Sequence, residues 1–433
     1  MLRETPIILL ALGMTGSAIA APGEHIQIGN SGELIPDIDL GMEYRTNVYR
    51  KEVDPIAGAN LRVAPGLEIA SKTEENEVAL SGRWELHKFF YLAEDADSDL
   101  EQSERVSSLD RFNDFQINAR LDVLKQQSVG FRLGSKTALK NNSTDASYSE
   151  APFTTQFREA LEGALRVSPG PALKLFLGGH YSYDDYLLPT QPTGNADRGF
   201  NTRQAYGPTL NTRWEFLPRT AFVLNGEYTM NRWDENSVDA TVDGDPGALG
   251  DTLAVPNSDQ TKVTVGIDGR FTENLTLTLR GGYGVSIYDG AATGALNDVG
   301  GDVDANVGGG DGVLLDVVST YQFGEGTYFS LGYRKDFVDA FFSNYTAYNM
   351  GNAMVRGKYG NLRPQTRFVV RQESYVGEIE RNDVVLRWEG DLAYDIQSYA
   401  SVGVGAAWQQ RASTDKDVEY DDVNLHLLAN FAY

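Results

Sequence analysis

The feature that most constrains this chain is a two-residue alternation of apolar and polar side chains, repeated in long segments almost from end to end. In an extended strand successive side chains point to opposite faces, so such a rhythm makes one greasy face and one polar face. In the first segment Ile38, Leu40, Met42, Tyr44 and Val48 share a face, against Asp37, Asp39, Glu43, Arg45 and Asn47. Near the far end Val384, Leu386, Trp388, Leu392 and Tyr394 stand against Arg387, Glu389 and Asp391.

A half-buried soluble sheet alternates too, so length and connections must discriminate. Most segments here run for ten residues or more, which matches the roughly 9–11 residues a tilted strand needs to cross a bilayer. Typical soluble strands are about half as long. The connections also alternate. Short ones fall at 71–76, 125–127, 168–171, 217–219, 273–274, 324–326 and 395–398, and long ones at 93–107, 141–155, 185–201, 231–260 and 289–312. Short turns at one end and long loops at the other are the plan of an outer-membrane barrel. The seven short turns join fourteen strands, and the segments at 37–50, 354–359, 366–375 and 425–433 bring the total to 18. The expectation is therefore all-β: a transmembrane antiparallel up-and-down β-barrel of about 18 strands, with short periplasmic turns and long external loops. The alternation is weakest at 354–359, 366–375 and 399–410, and Pro65 and Pro208 fall inside strands, where bulges are expected.

Aromatic residues stand just before the short turns. Trp214, Phe216, Phe271, Tyr321, Phe323 and Tyr394 are expected to form the inner aromatic girdle, joined by Phe431 and Tyr433 at the end of the last strand. That strand (Leu425, Leu427, Ala429, Phe431, Tyr433) resembles the C-terminal signal through which the barrel-insertion machinery recognises its clients. Outer-membrane lipid and lipopolysaccharide are the expected surroundings.

The first 20 residues read as a secretory leader. Arg3 precedes an apolar stretch at 6–12, and Ala18-Ile19-Ala20 supplies the small residues of a cleavage site. The expected organisation is a signal peptide at 1–20, a periplasmic segment at 21–36 and the barrel at 37–433. No later run approaches the roughly 18 apolar residues of a spanning helix. With no cysteine there is no disulfide framework and no lipid-modified N-terminal cysteine. The 61 acidic residues against 37 basic ones exclude a nucleic-acid partner.

If the apolar face looks outward, a series of guanidinium groups lines the lumen: Arg45, Arg62, Arg83, Arg120, Arg132, Arg158, Arg166, Arg213, Arg270, Arg280, Arg334, Arg367, Arg371 and Arg387. Carboxylates on the same face nearly balance them, so the net charge of −24 resides mainly in loops and turns. Charges at this density must be wet or paired, and a barrel of this size has more interior than side chains fill. Two readings stay open: a bracing Arg–carboxylate ladder, or an electrostatic filter for an anionic or sugar-like solute.

Other motifs are weaker. In the stretch 297–312, Asp302, Asp304 and Asn306 have calcium-loop spacing, but Val307 replaces the required Gly and Val313 the bidentate Glu. A flexible acidic loop is the plainer reading, as it is for 241–251, and no metal or cofactor is expected. Three of the four histidines, His87, His180 and His426, fall on the polar face, while His25 precedes the first strand. None lies in a recognisable catalytic motif, so an enzyme is not expected.

The opening segment at 40–50, LGMEYRTNVYR, and the following one at 63–69, VAPGLEI, resemble the start of the outer-membrane β-barrel porin family associated with exopolysaccharide operons. The resemblance rests on Thr46-Asn47-Val48-Tyr49-Arg50 and Ala64-Pro65-Gly66-Leu67. Arg45-Thr46 stands where that family usually has Asp-Asp or Asp-Ser. It implies a passive outer-membrane conduit for export of a secreted polysaccharide, with periplasmic export proteins as partners. The alternatives are a general or solute-specific diffusion porin, and a structural or adhesion barrel plugged by its 231–260 and 289–312 loops.

Overall fold

The computed structural model describes residues 25–29, 31–47, 57–91, 113–142, 154–187, 200–233, 238–240, 251–253, 257–288, 310–339, 345–376 and 381–432. Short strand β1 (Ile26–Ile28) precedes β2 (Gly32–Arg45), β3 (Gly58–Lys72), β4 (Glu77–Tyr91), β5 (Asn113–Val123) and β6 (Val129–Asn142). β7 (Thr154–Gly170), β8 (Leu173–Leu187), β9 (Phe200–Leu217) and β10 (Thr220–Trp233) follow. Two short strands, β11 (Val238–Ala240) and β12 (Asp251–Leu253), pair only with each other. Then come β13 (Ser258–Arg270), β14 (Leu275–Tyr288), β15 (Gly310–Gly324), β16 (Thr327–Asp339) and β17 (Tyr345–Arg356). The chain ends with β18 (Leu362–Val376), β19 (Arg381–Gln397), β20 (Ala400–Ser413) and β21 (Tyr420–Ala432).

From β2 to β21 every long strand pairs antiparallel with its sequence neighbour, β10 pairing directly with β13. β21 then pairs back onto β2, with Ile38 opposite Phe431 and Met42 opposite Leu427. Leaving out β1, β11 and β12, this is a closed barrel of 18 strands. Closure removes the unpaired edge that an open sheet would present.

The alternating apolar side chains form its outer surface. Leu40, Leu80, Leu133, Leu177, Val265, Leu331, Trp388 and Val404 are all exposed. A soluble protein of this size would bury them at about 25 cal/mol per Å²; here lipid takes that role. At the short-turn end, Trp214 and Phe216 lie 6.1 Å apart and Tyr321 and Phe323 5.0 Å apart, centroid to centroid. Phe271, Tyr394 and Phe431 are exposed at the same end.

Several expectations are corrected. The first barrel strand begins at Gly32, not 37, and is already paired there, Gly32 opposite Ser71. Its consecutive Leu34-Ile35-Pro36 breaks the alternation and hides the start. Pro36, which has no N–H, lies between the β1 partner ending at Leu34 and the β21 partner beginning at Asp37. Neither Pro65 nor Pro208 makes a bulge. On both sides of each the register is unchanged, and the ladder omits pairs on one side only, between Val63–Leu86 and Gly66–Arg83, and between Glu227–Thr209 and Met230–Tyr206. Strands do not need to slip when the missing donor simply goes unpaired. The weak segments at 354–359 and 366–375 fall in β17 and β18 and the turn at 357–361 between them, which includes Gly360 at φ 60°, and that at 399–410 falls in β20. The expected leader, the 241–250 stretch, the spacing at Asp302, Asp304 and Asn306, Val48-Tyr49-Arg50 and Tyr433 lie outside the described residues.

Candidate functional site

Contacts that jump over a strand identify the concave face. Next-nearest strands are about 9–10 Å apart, and only the inner side of a cylinder draws their side chains together. His180 of β8 lies 3.1 Å from Thr229 of β10, and His426 of β21 lies 2.9 Å from Asp391 of β19. Arg213 of β9 reaches Asp268 of β13 at 3.7 Å, and Arg411 of β20 donates to the Tyr375 hydroxyl of β18 at 3.1 Å. All of these residues come from the polar face, which is therefore the inside.

Most of the expected arginines take carboxylate partners there. Arg45 pairs with Glu43 at 2.6 Å, Arg62 with Glu85 at 3.3 Å, and Arg83 with both Asp37 and Asp39. Arg120 and Arg132 share Asp122, at 3.7 and 3.0 Å. Arg132 also stacks 5.3 Å from the Phe176 ring. Arg158 lies 3.5 Å from Asp184, and Arg280 pairs with Asp268 at 2.7 Å. Arg334 pairs with Asp336 at 2.7 Å, Arg371 with Glu373 at 2.5 Å, and Arg387 with Glu389. Two behave differently. Arg166 donates to the carbonyls of Leu124 and Gln127, and Arg270 to that of Glu273. Both stand at strand ends, within reach of short-turn carbonyls; Leu124 holds the left-handed φ of 56° that such a tight turn requires. Arg367 is exposed and has no ion pair among the described residues.

Three clusters at the long-loop end are buried, and the sequence reading did not single them out as sites. In the first, Asp383 and Glu373 are 0% and 1% exposed. Asp383 accepts from Arg411 Nε at 2.9 Å and from Ser413 Oγ at 2.5 Å, with Arg381 Nε at 3.2 Å. In the second, Asp184 is fully buried between Arg203 at 2.7 Å, Arg158 and the Gln156 amide at 2.9 Å. The third centres on Asp339. Its Oδ2 accepts from Asn231 Nδ2 at 2.6 Å and from Ser258 Oγ; its Oδ1 accepts from the Tyr288 hydroxyl at 3.0 Å and from Ser286 Oγ at 3.4 Å. No salt bridge to Asp339 occurs among the described residues.

The Asp339 cluster changes the shape of the lumen. The β15–β16 ladder ends at Leu315–Lys335, although β15 continues to Gly310 and β16 to Asp339. Past that point β16 pairs only with β17, and β17 stays paired with β18 to its end. The free edge of β16 has turned inward, so that Asp339 lies over β14, β13 and β10. Glycines make room for it. A Cβ on Gly284 would stand 2.7 Å from the Phe337 ring, and one on Gly310 2.9 Å from that of Tyr345. Tyr345 also stacks on Tyr288 at 6.4 Å, and Lys262 bridges to Asp336 at 2.8 Å and to the Phe337 carbonyl at 2.6 Å. The signal in the sequence was the four glycines of the facing inner wall, Gly282, Gly284, Gly310 and Gly312. Across the barrel, on β2 to β6, a recess of about 510 Å³ is lined by Asp37, Glu68, Arg83, Glu85, Asp114 and Lys140 among others.

A closed antiparallel barrel with a lipid-compatible exterior and an ionic interior is a transmembrane β-barrel of the outer-membrane class. No family model matches the chain, and no curated protein does. Among solved structures, Acinetobacter baumannii OccAB4 is 12% identical at a TM-score of 0.46, covering 95% of this chain and 100% of that one. Pseudomonas aeruginosa OpdK, solved with vanillate, is 13% identical at a TM-score of 0.45, covering 92% and 99%. The ferric enterobactin receptor of Pseudomonas aeruginosa is 8% identical at 0.48, covering 92% and 80%. The class stands on the chain's own strand pairing and surface chemistry, independently of these likenesses.

Proposed function

We propose that the chain is an outer-membrane channel for passive diffusion of small hydrophilic solutes. The observation that carries this reading is water access to the inner wall. The side chains of Arg120, Arg334 and Arg387 are 52%, 51% and 50% exposed although they stand on the concave face. A filled core would bury them, and burying charges this densely without water is prohibitive. The arginines expected to line the lumen then serve two ends: paired with carboxylates they brace the wall, and their exposed faces meet the solute.

A diffusion channel is favoured over a conduit for a secreted polysaccharide by the inward edge of β16 and the buried clusters at the same end. These narrow the mouth that a polymer would have to pass. Reconstitution in planar bilayers tests the reading. The expected result is stepwise conductance, reduced by small polyethylene glycols that enter the lumen and unaffected by large ones. Absence of current from inserted, folded barrels would count against a channel. Block of the current by a long acidic polysaccharide entering from the short-turn side would return the export reading.

A further inference from the structure

We propose that the inturned edge of β16 is a gate, latched to the inner wall by Asp339, and that its return to β15 widens the external mouth; this rests on the channel reading above.

Two discrete positions exist for that edge. In the position observed, Asp336–Asp339 has left β15 and lies across the inner faces of the neighbouring strands. Asn231 of β10 donates to Asp339 at 2.6 Å with three strands between them. The other position follows from the register. The ladder pairs Asp316 with Arg334 and Leu315 with Lys335. Continued without a slip, it sets Leu314 opposite Asp336, Val313 opposite Phe337, Gly312 opposite Val338 and Asp311 opposite Asp339. The β15 edge that would accept these residues has no β16 partner in the described structure, while its other edge stays paired with β14 as far as Ser286–Gly310. Return of the edge would restore a row of backbone hydrogen bonds without breaking any between β16 and β17.

Two charged groups hold the edge inward, the Asp339 carboxylate at its tip and the Lys262 ammonium of the facing wall. Hydrogen bonds to an ionised acceptor are the strong ones, and Asp339 gathers them from Asn231, Ser258, Ser286 and Tyr288. Lys262 of β13 adds an ion pair to Asp336 at 2.8 Å and a hydrogen bond to the Phe337 carbonyl at 2.6 Å, and the rest of the contact is aromatic rings laid on glycine backbone. The returned position carries a penalty of its own, because it would place Asp339 directly across from Asp311, and like charges facing each other in a ladder repel. Both effects favour the inturned state, and both depend on the charge of Asp339. Two packings of one edge, with the charge of Asp339 biasing the choice between them, make a bistable element.

Asp339→Asn keeps the shape of the side chain and removes the charge behind both effects. It should raise open-channel conductance at least about twofold and admit larger polyethylene glycols, with the barrel still folded by heat-modifiable gel mobility. The natural chain has no cysteine, so disulfide trapping is clean. A pair at Asn231→Cys and Asp339→Cys should cross-link the inturned form, and reduction should raise the conductance. A pair at Gly312→Cys and Val338→Cys should cross-link the returned form in intact membranes, more readily when Asp339→Asn is added. This last readout needs no current, so it separates failure of the gate from failure of the channel. Cross-linking at 312 and 338 with no conductance in any variant would keep the moving edge and overturn the channel. Absence of that cross-link in a folded barrel, or an Asp339→Asn conductance equal to the natural one, would overturn the gate.

Discussion

Replacing Asp383 with Asn should destabilise the barrel more than any single change in the wet part of its lumen. Asp383 is fully buried and holds Arg411, Arg381 and Ser413 within 3.2 Å. In the native cluster Arg371, Arg381 and Arg411 face two carboxylates, Glu373 and Asp383. The substitution keeps the volume but leaves three guanidiniums around one anion, and Arg411 is 2% exposed. Removing one partner of a buried pair costs about 3–5 kcal/mol, because the charge left behind stays desolvated. At roughly 1.4 kcal/mol per decade, 4 kcal/mol is about a thousandfold in the folding equilibrium. Arg387→Gln supplies the contrast. Its pair with Glu389 is half in water, so the loss should stay below about 1 kcal/mol. Urea unfolding of each variant from lipid vesicles, followed by tryptophan fluorescence, measures both. Equal midpoints for the two variants would refute the claim that the cluster is dry and the rest of the lumen wet.

Val265→Arg, at mid-strand on the lipid face of β13, should cost about 2–4 kcal/mol, whereas Trp214→Arg in the girdle should cost about 0–1 kcal/mol; the same unfolding assay compares them. Changing Arg120 and Arg387 together to Glu should shift ion selectivity towards cations, read as the reversal potential in a salt gradient, and an unchanged potential would remove both from the conducting path. In the external turn after the 3-10 segment Lys416–Val418, Lys416 and the Ser413 amide hold the Glu419 carboxyl below its ordinary value of 4.5. A lowered folded value means that the stabilisation is full above pH 4.5 and is lost as pH falls through the folded value. Glu419→Gln should therefore speed amide exchange at Ser413 near about pH 6, and that difference from the natural chain should shrink as pH falls below 4.5.

How much of this was legible in the sequence depended on what each side chain reports. Leu386, Trp388 and Leu392 with Arg387, Glu389 and Asp391 report faces directly, because a strand has only two. Strand β17 was hard to see because its lipid side, Ala347, Asn349, Gly351 and Ala353, is small or polar. The inturned edge was hidden for the opposite reason. Phe329, Leu331, Tyr333 and Phe337 share one face, interrupted by Lys335, but alternation says which residues share a face and not what that face meets. Phe337 meets glycine where Leu331 meets lipid. Arg411 was missed because its strand opposes Val402 and Val404 with Gly403 and Gly405, so no charge marked the inner face until its last turn of sequence.

The most direct test is to place single cysteines at positions 384, 386, 387, 388 and 389 of the cysteine-free chain and treat the barrel, in its membrane, with a charged thiol reagent. Cysteines replacing Arg387 and Glu389 should be labelled, and those replacing Val384, Leu386 and Trp388 should stay protected. Uniform labelling, or labelling of the opposite set, would contradict a barrel with water inside and lipid outside.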